Sequence, residues 1–360
     1  MAGVLSNREL NRATLARQLL LERTARAPLE AVRHLVGMQA QVPHNPYTGL
    51  WSRLERFRPE QLSELLERRE VVRTTVMRAT IHLVTADDCL TLRPLVQPVL
   101  DAEIARHRDY SPALVDVALD PVLEYGRQVL AEPRTGSELR ALLAERFPAH
   151  DPAALAYACR CYLPLVQVPP RGLWGRSAQP TSTTAEAWLG RPLAARPSLD
   201  EAVLRYLGAF GPATVADVTT WCRLTGMRAV LERLRPHLRT FRDERGRELF
   251  DLPDAPRPDP ATSAPVRFLP EYDNVLLSHD DRSRFIRPED RAVLGRIWRL
   301  GYGAVLAEGL VSAVWRLQPD GLVVSHVPRL SKKTLASVAA EGRRLARFLE
   351  AAPEVRLASM

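Results

Sequence analysis

The sequence predicts a mainly helical α+β chain: three tandem winged-helix units, then a β-rich C-terminal segment. Three observations carry this expectation. A grammar of amphipathic helices followed by a short β-hairpin recurs three times. A stretch over residues 253–265 then brings five prolines and no apolar period, as a stiff linker does. Beyond it, apolar runs of strand type follow one another, with Gln318-Pro319-Asp320-Gly321 as a hairpin turn.

In the first unit, Ser6-Asn7-Arg8-Glu9 reads as a capping box that opens a helix carrying Leu15, Leu19 and Leu20. A second helix bears Leu29, Val32 and Val36, and a third starts at Pro59 and bears Leu62, Leu65 and Leu66. The β-rich runs 71–75 and 80–84 make the first wing. In the second unit, Thr135-Gly136-Ser137-Glu138 caps a helix with Leu139, Leu142 and Leu143. Another helix covers 151–162, and 165–168 is extended before the turn-rich 169–174. In the third, Thr214-Val215-Ala216-Asp217 caps a helix, Val230, Leu231 and Leu234 mark the next, and 238–241 with 249–252 form a hairpin. Strands at 304–307, 311–317 and 322–327 and a helix over 331–351 complete the chain. The expected units are 1–90, 91–190 and 197–254, with the C-terminal segment at 264–360.

Cationic residues outnumber acidic ones for a net charge of +8, and only Lys332 and Lys333 among them are lysine. A GC-rich gene also favours arginine, so it is the charge excess that points to a polyanion. Winged helices dock on duplex DNA, and the wings carry Arg73 and Arg78, Arg171 and Arg176, and Arg245 and Arg247 as a phosphate track. No apolar run approaches the roughly 18 residues of a membrane span. The first 12 residues are polar where a signal peptide is apolar, so a cytoplasmic location is expected. Cys89, Cys159, Cys161 and Cys222 have no zinc spacing and read as buried thiols.

Chemistry points to the segment Gly37-Met38-Gln39-Ala40-Gln41-Val42-Pro43-His44-Asn45-Pro46-Tyr47. Pro43 and Pro46 are expected to stop any helix here, leaving an extended loop. In an extended loop, residues two apart face the same way, so Gln39 and Gln41 would aim two amides at one point and hold a water there. His44 and His82 read either as DNA contacts or as packed or solvated rings. The acidic run around Glu271, Asp273, His279, Asp280 and Asp281 fits no standard ligand spacing and reads as structural.

This loop and its continuation Pro46-Tyr47-Thr48-Gly49-Leu50-Trp51 resemble the AlkZ-type family of bacterial winged-helix DNA glycosylases. Met77-Arg78-Ala79-Thr80-Ile81-His82-Leu83-Val84, Gly211-Pro212-Ala213-Thr214 and Arg267-Phe268-Leu269-Pro270-Glu271-Tyr272-Asp273-Asn274 carry the same resemblance. It implies three winged helices around a concave basic DNA-binding face. It also implies a catalytic glutamine, apolar residue, glutamine signature, matched by Gln39 and Gln41. The implied activity is monofunctional hydrolysis of the N-glycosidic bond of N7-alkylated purines, extending to unhooking of interstrand crosslinks. No metal or organic cofactor is implied. The expected partner is double-stranded DNA, alkylated or crosslinked, met by a monomer away from membranes, with Arg73, Arg78, His82, Arg171, Arg176, Arg245, Arg247, His44 and Tyr47 as DNA contacts. The rival readings are a non-catalytic winged-helix regulator and a lesion-shielding protein.

Overall fold

The structure, a computed structural model, describes residues 3–292, 295 and 301–360, in a mixed α/β arrangement. Its strands in chain order are β1 Val4–Leu5, β2 Met38–Gln39, β3 Val71–Thr75, β4 Ile81–Thr85, β5 Arg134–Thr135, β6 Leu165–Gln167 and β7 Thr181–Thr184. There follow β8 Arg239–Asp243, β9 Glu248–Asp251, β10 Arg267–Leu269, β11 Gly303–Ala307, β12 Leu310–Gln318, β13 Gly321–His326 and β14 Val355–Ser359. They form three sheets, ordered β2-β4-β3-β6-β7-β5, β1-β8-β9 and β10-β11-β12-β13-β14.

The first two hairpins are therefore not separate wings. β3 pairs antiparallel with β6, setting Arg73 opposite Gln167 and Thr74 opposite Val166, so six strands make one sheet. The third hairpin recruits β1 in parallel, with Val4 opposite Arg242. The C-terminal sheet closes with β14 parallel to β13, reached through the helix Lys332–Phe348.

All three capping boxes form. Ser6 opens Asn7–Arg17, Thr135 opens Gly136–Arg146 and Thr214 opens Val215–Cys222, each with the third helical residue bonding back. The expectation that Pro43 and Pro46 exclude a helix is wrong: Asn45–Arg53 is helical. Pro46 sits in its first turn, where an N–H has no intrahelical partner and its absence costs nothing. Helices Ala86–Leu95, Gln97–Ala105, Leu119–Val129 and Leu199–Phe210 were not singled out by periodicity. The largest core cluster packs Tyr206, Phe210 and Trp221 against Met77 and Val84 of the first hairpin. That contact fastens the third helical group to the strand beside Gln39. All four cysteines are free and buried. Among the described residues no helix is long and apolar enough to cross a membrane.

Candidate active site and nucleic-acid interface

The glutamine segment is set by the turn that ends the helix Pro28–His34. Val36 and Gly37 take positive φ values of 54° and 90°, and Gly37 N donates to Val32 O at 3.0 Å. A Cβ on Gly37 would lie 2.7 Å from Val84 Cγ1, so only glycine lets the chain fall onto β4 here. Met38 and Gln39 then pair with Leu83 and His82. Ala40 N donates to Ile81 O at 2.8 Å, while Ala40 O accepts from Arg73 Nη2 at 2.8 Å. Ile81 N, deprived of that carbonyl, donates instead to Gln41 Oε1 at 3.3 Å.

The two glutamines part company at this point. The chain bends at Gln41, so the two-residue alternation stops before it can align both amides. Gln39 lines a crevice with Gln18, Asn45, Arg53, Asp273 and Asn274, of about 10 Å³, roughly the space one water needs. Its Oε1 is buried without a hydrogen-bond partner. Gln41 is exposed and lines a different space, a cleft of about 410 Å³. They adjoin the same strand, but they do not share one cavity.

The cleft lies between the six-stranded sheet and the helices Gly136–Arg146 and Pro152–Tyr162. Among the described residues, six arginines line it, Arg73, Arg93, Arg134, Arg140, Arg160 and Arg171, and no carboxylate does. Tyr157 and Tyr110 also line it, Tyr110 stacked on His107 at a centroid separation of 4.4 Å and Tyr157 tilted against the same ring at 4.5 Å. Such a basic, aromatic-edged groove suits nucleic acid. Most of these residues were missed in the sequence. Arg140 faces away from Leu139 and Leu143 as any solvated helix residue would, and only the β3–β6 pairing brings it to the glutamine loop.

Residues 32–348 match the family described as DNA glycosylase AlkZ-like. The chain belongs to that family. It is accordingly a DNA glycosylase, an enzyme that hydrolyses N-glycosyl bonds. It is 25% identical over 359 residues to a Streptomyces sahachiroi protein described as an interstrand DNA cross-link repair glycosylase, covering 92% of this chain and 94% of that one. Its fold is similar to that of the solved DNA glycosylase AlkZ of the same organism, with a TM-score of 0.81 at 22% identity over 98% of this chain and 100% of that one.

Several residues expected to touch DNA in this glycosylase are turned inward instead. Tyr47 is fully buried: its hydroxyl donates to Gly172 O at 2.8 Å and shares a hydrogen bond with Ser63 Oγ, and burial pushes the phenol up to about 12. His82 is equally buried. Its Nδ1 donates to Thr80 O at 2.9 Å, leaving Nε2 to accept from Arg78 Nη2 at 3.3 Å. Arg78 also donates to Asn274 Oδ1 at 2.7 Å, and Asn274 Nδ2 donates to Gly37 O at 3.3 Å. This chain of bonds clamps the turn that carries Gln39, so Arg78 and His82 hold the loop rather than a phosphate. The reason is general: a strand shows its alternation in sequence, but not whether another element covers its outer face.

Arg73 is likewise buried, in the cleft lining and not on a wing tip. Arg171 is half-buried on the cleft wall, and Arg176 and His44 are exposed. Arg245 and Arg247 reach Asp281 at 2.9 and 2.8 Å, and Arg247 also meets Asp243, so their charge is partly matched. Part of the acidic run is taken up internally, since Asp273 holds Arg53 and His279 is buried against Phe210 O at 3.0 Å, while Asp280 is exposed. Among the described residues no group of three or more potential ligands could hold a metal ion.

Burial makes His82 a liability in acid. Desolvation first, then the Arg78 charge, lowers it from 6.5 to about 3, and His279 is lowered to about 4. The unfolded chain therefore takes up protons below pH 6.5 that the native state refuses, so stability present at pH 7 is lost as pH falls. His82 alone should cost ~2 kcal/mol between pH 6.5 and 5, at ~1.4 kcal/mol per pH unit. Urea unfolding at pH 7 and 5 measures this, and His82→Asn should shrink the difference. Equal stability at the two values would mean the ring is protonated in the native protein.

Proposed function

We propose that this glycosylase hydrolyses the N-glycosidic bond of N7-alkylated purines in duplex DNA, acting as a monomer without metal or organic cofactor, in the repair of alkylation damage. The observation that carries this reading is the Gln39-Ala40-Gln41 segment: a buried amide oxygen with no partner at one end, an exposed amide on a basic cleft at the other. Neutral amides cannot protonate a leaving base. They suit a base that leaves without protonation, and a purine alkylated at N7 is already cationic. Its C1′–N9 bond breaks with the electron pair passing to the ring, which neutralises it. A water oxygen then bonds to C1′ of the oxocarbenium-like sugar and loses its proton to solvent. Gln39, with its unpartnered amide oxygen, would orient that water, and the Gln41 amide on the cleft side would stabilise the developing positive charge with a preorganised dipole.

The same hydrolysis, applied to a crosslink tethered through an alkylated purine, would unhook one strand. The Streptomyces sahachiroi relative described as a cross-link repair glycosylase supports that extension. The test is base release from duplex DNA carrying a single N7-methylguanine, with abasic sites scored after alkaline cleavage. Release should persist undiminished in chelator. Tight binding without release would replace this reading with that of a lesion-shielding protein, and release abolished by chelator would sink the cofactor-free mechanism.

A further inference from the structure

Arg73 is a buried cation in the lining of the basic cleft. It is 1% exposed, and of its guanidinium nitrogens only Nη2 has a partner, the carbonyl of Ala40. Nε and Nη1 are buried with none. The side chain lies beside Gly172, whose missing Cβ would stand 3.0 Å from Arg73 Cδ, so the chain at residue 172 makes room for the arginine stem. Arg171, next along, has its own Nε buried without a partner, while its Nη1 donates to Ala178 O. Gln167, opposite Arg73 across the β3–β6 ladder, has an unpartnered amide oxygen. Two arginines lining one cleft, with no carboxylate among the described residues of that lining, are an unfavourable arrangement for an empty protein. Burial and the Arg171 charge pull Arg73 down to about 10, which leaves it protonated at neutral pH. An anion arriving in the cleft would offset the like charges and give an unpaired donor its partner.

We propose that Arg73 and Arg171 form a subsite for one backbone phosphate of the substrate strand beside the lesion, and that Arg73 couples it to the glutamine loop. The coupling follows from the fork of the side chain: Nη2 holds the carbonyl of Ala40, between Gln39 and Gln41, while Nη1, the other arm of the fork, is left for a phosphate oxygen. Docking of that phosphate fixes Ala40, the residue between the two amides. This rests on the glutamine segment being the reaction centre, but the test below reads binding and is independent of which lesion is excised.

The probe is a duplex carrying one tetrahydrofuran abasic analogue, with each flanking phosphate replaced in turn by an uncharged methylphosphonate. The full chain and Arg73→Gln are compared by equilibrium binding. In the wild-type protein, one position near the analogue should cost about tenfold to a hundredfold in affinity, as loss of a charge-assisted pair does. In Arg73→Gln the intact duplex should already bind weaker by a similar factor, and the same methylphosphonate should cost less than about twofold more. Arg171→Gln supplies the same comparison should Arg73→Gln fail to fold. Equal methylphosphonate losses in wild type and variant at every position would overturn the subsite. So would competition by inorganic phosphate with no position-dependent loss, for the cleft would then serve a free anion. Normal binding coupling with no base release from N7-methylguanine would instead count against the proposed reaction and leave the subsite standing.

Discussion

Replacing Gln39 by alanine should lower base excision by about a hundredfold to a thousandfold while leaving duplex binding and thermal stability unchanged. The buried Oε1 of Gln39 has no partner, so in the free protein it contributes only the desolvation cost of an orphaned acceptor, ~1–3 kcal/mol. Removing it cannot cost the native state a hydrogen bond. The transition state, in contrast, loses an oriented dipole worth ~3–4 kcal/mol, the usual penalty for deleting one preorganised group. Gln41 differs, because its Oε1 accepts from Ile81 N at the end of the β2–β4 ladder. Gln41→Ala should therefore lose both rate and a little local order. Because both amides serve one transition state, the double variant should lose less than the product of the two single losses. Single-turnover excision with parallel melting curves decides the matter. A Gln39→Ala protein that excises at the wild-type rate, or that loses rate only because it melts early, removes Gln39 from the chemistry.

What could be read from the sequence was what is local. The boxes at Ser6, Thr135 and Thr214 depend on residues three apart, and the hairpins around residues 71–85 and 239–251 on strand patterns and short turns, so all were legible. The segment carrying Gln39 and Gln41 was legible as a motif, and the resemblance named the enzyme class that the family match bears out. The cleft was not legible. It exists because β3 pairs with β6, which brings Arg73 beside Gln167 across more than ninety residues of sequence, and no local pattern encodes that register. The inward turn of Tyr47, Arg78 and His82 was hidden for the same reason: their cover, around Gly172, Trp221 and Asn274, comes from distant parts of the chain.

The second large effect concerns stability, at the ion pair beside the Gln39 crevice. Arg53 and Asp273 are both buried, and the carboxylate takes both arms of the guanidinium, at 2.8 and 2.9 Å. Asp273 Oδ1 also accepts from Val275 N, and Arg53 donates further to the carbonyls of Gln18 and Gly49. The pair thus ties the helix Asn45–Arg53 to the turn that follows β10, and both ends line the space that Gln39 faces. Asp273→Ala leaves the Arg53 charge buried and uncompensated, and should destabilise the protein by ~3–5 kcal/mol in urea unfolding. Replacing both partners with apolar residues of similar volume, Arg53→Met with Asp273→Leu, should recover most of that loss, since neither charge then has to be desolvated. A loss below ~1 kcal/mol in Asp273→Ala would mean that water reaches Arg53, as it does at exposed pairs. In that case the crevice would be wet in the free protein, and the unpartnered oxygen of Gln39 would already have a solvent hydrogen bond to give up before it could serve the reaction.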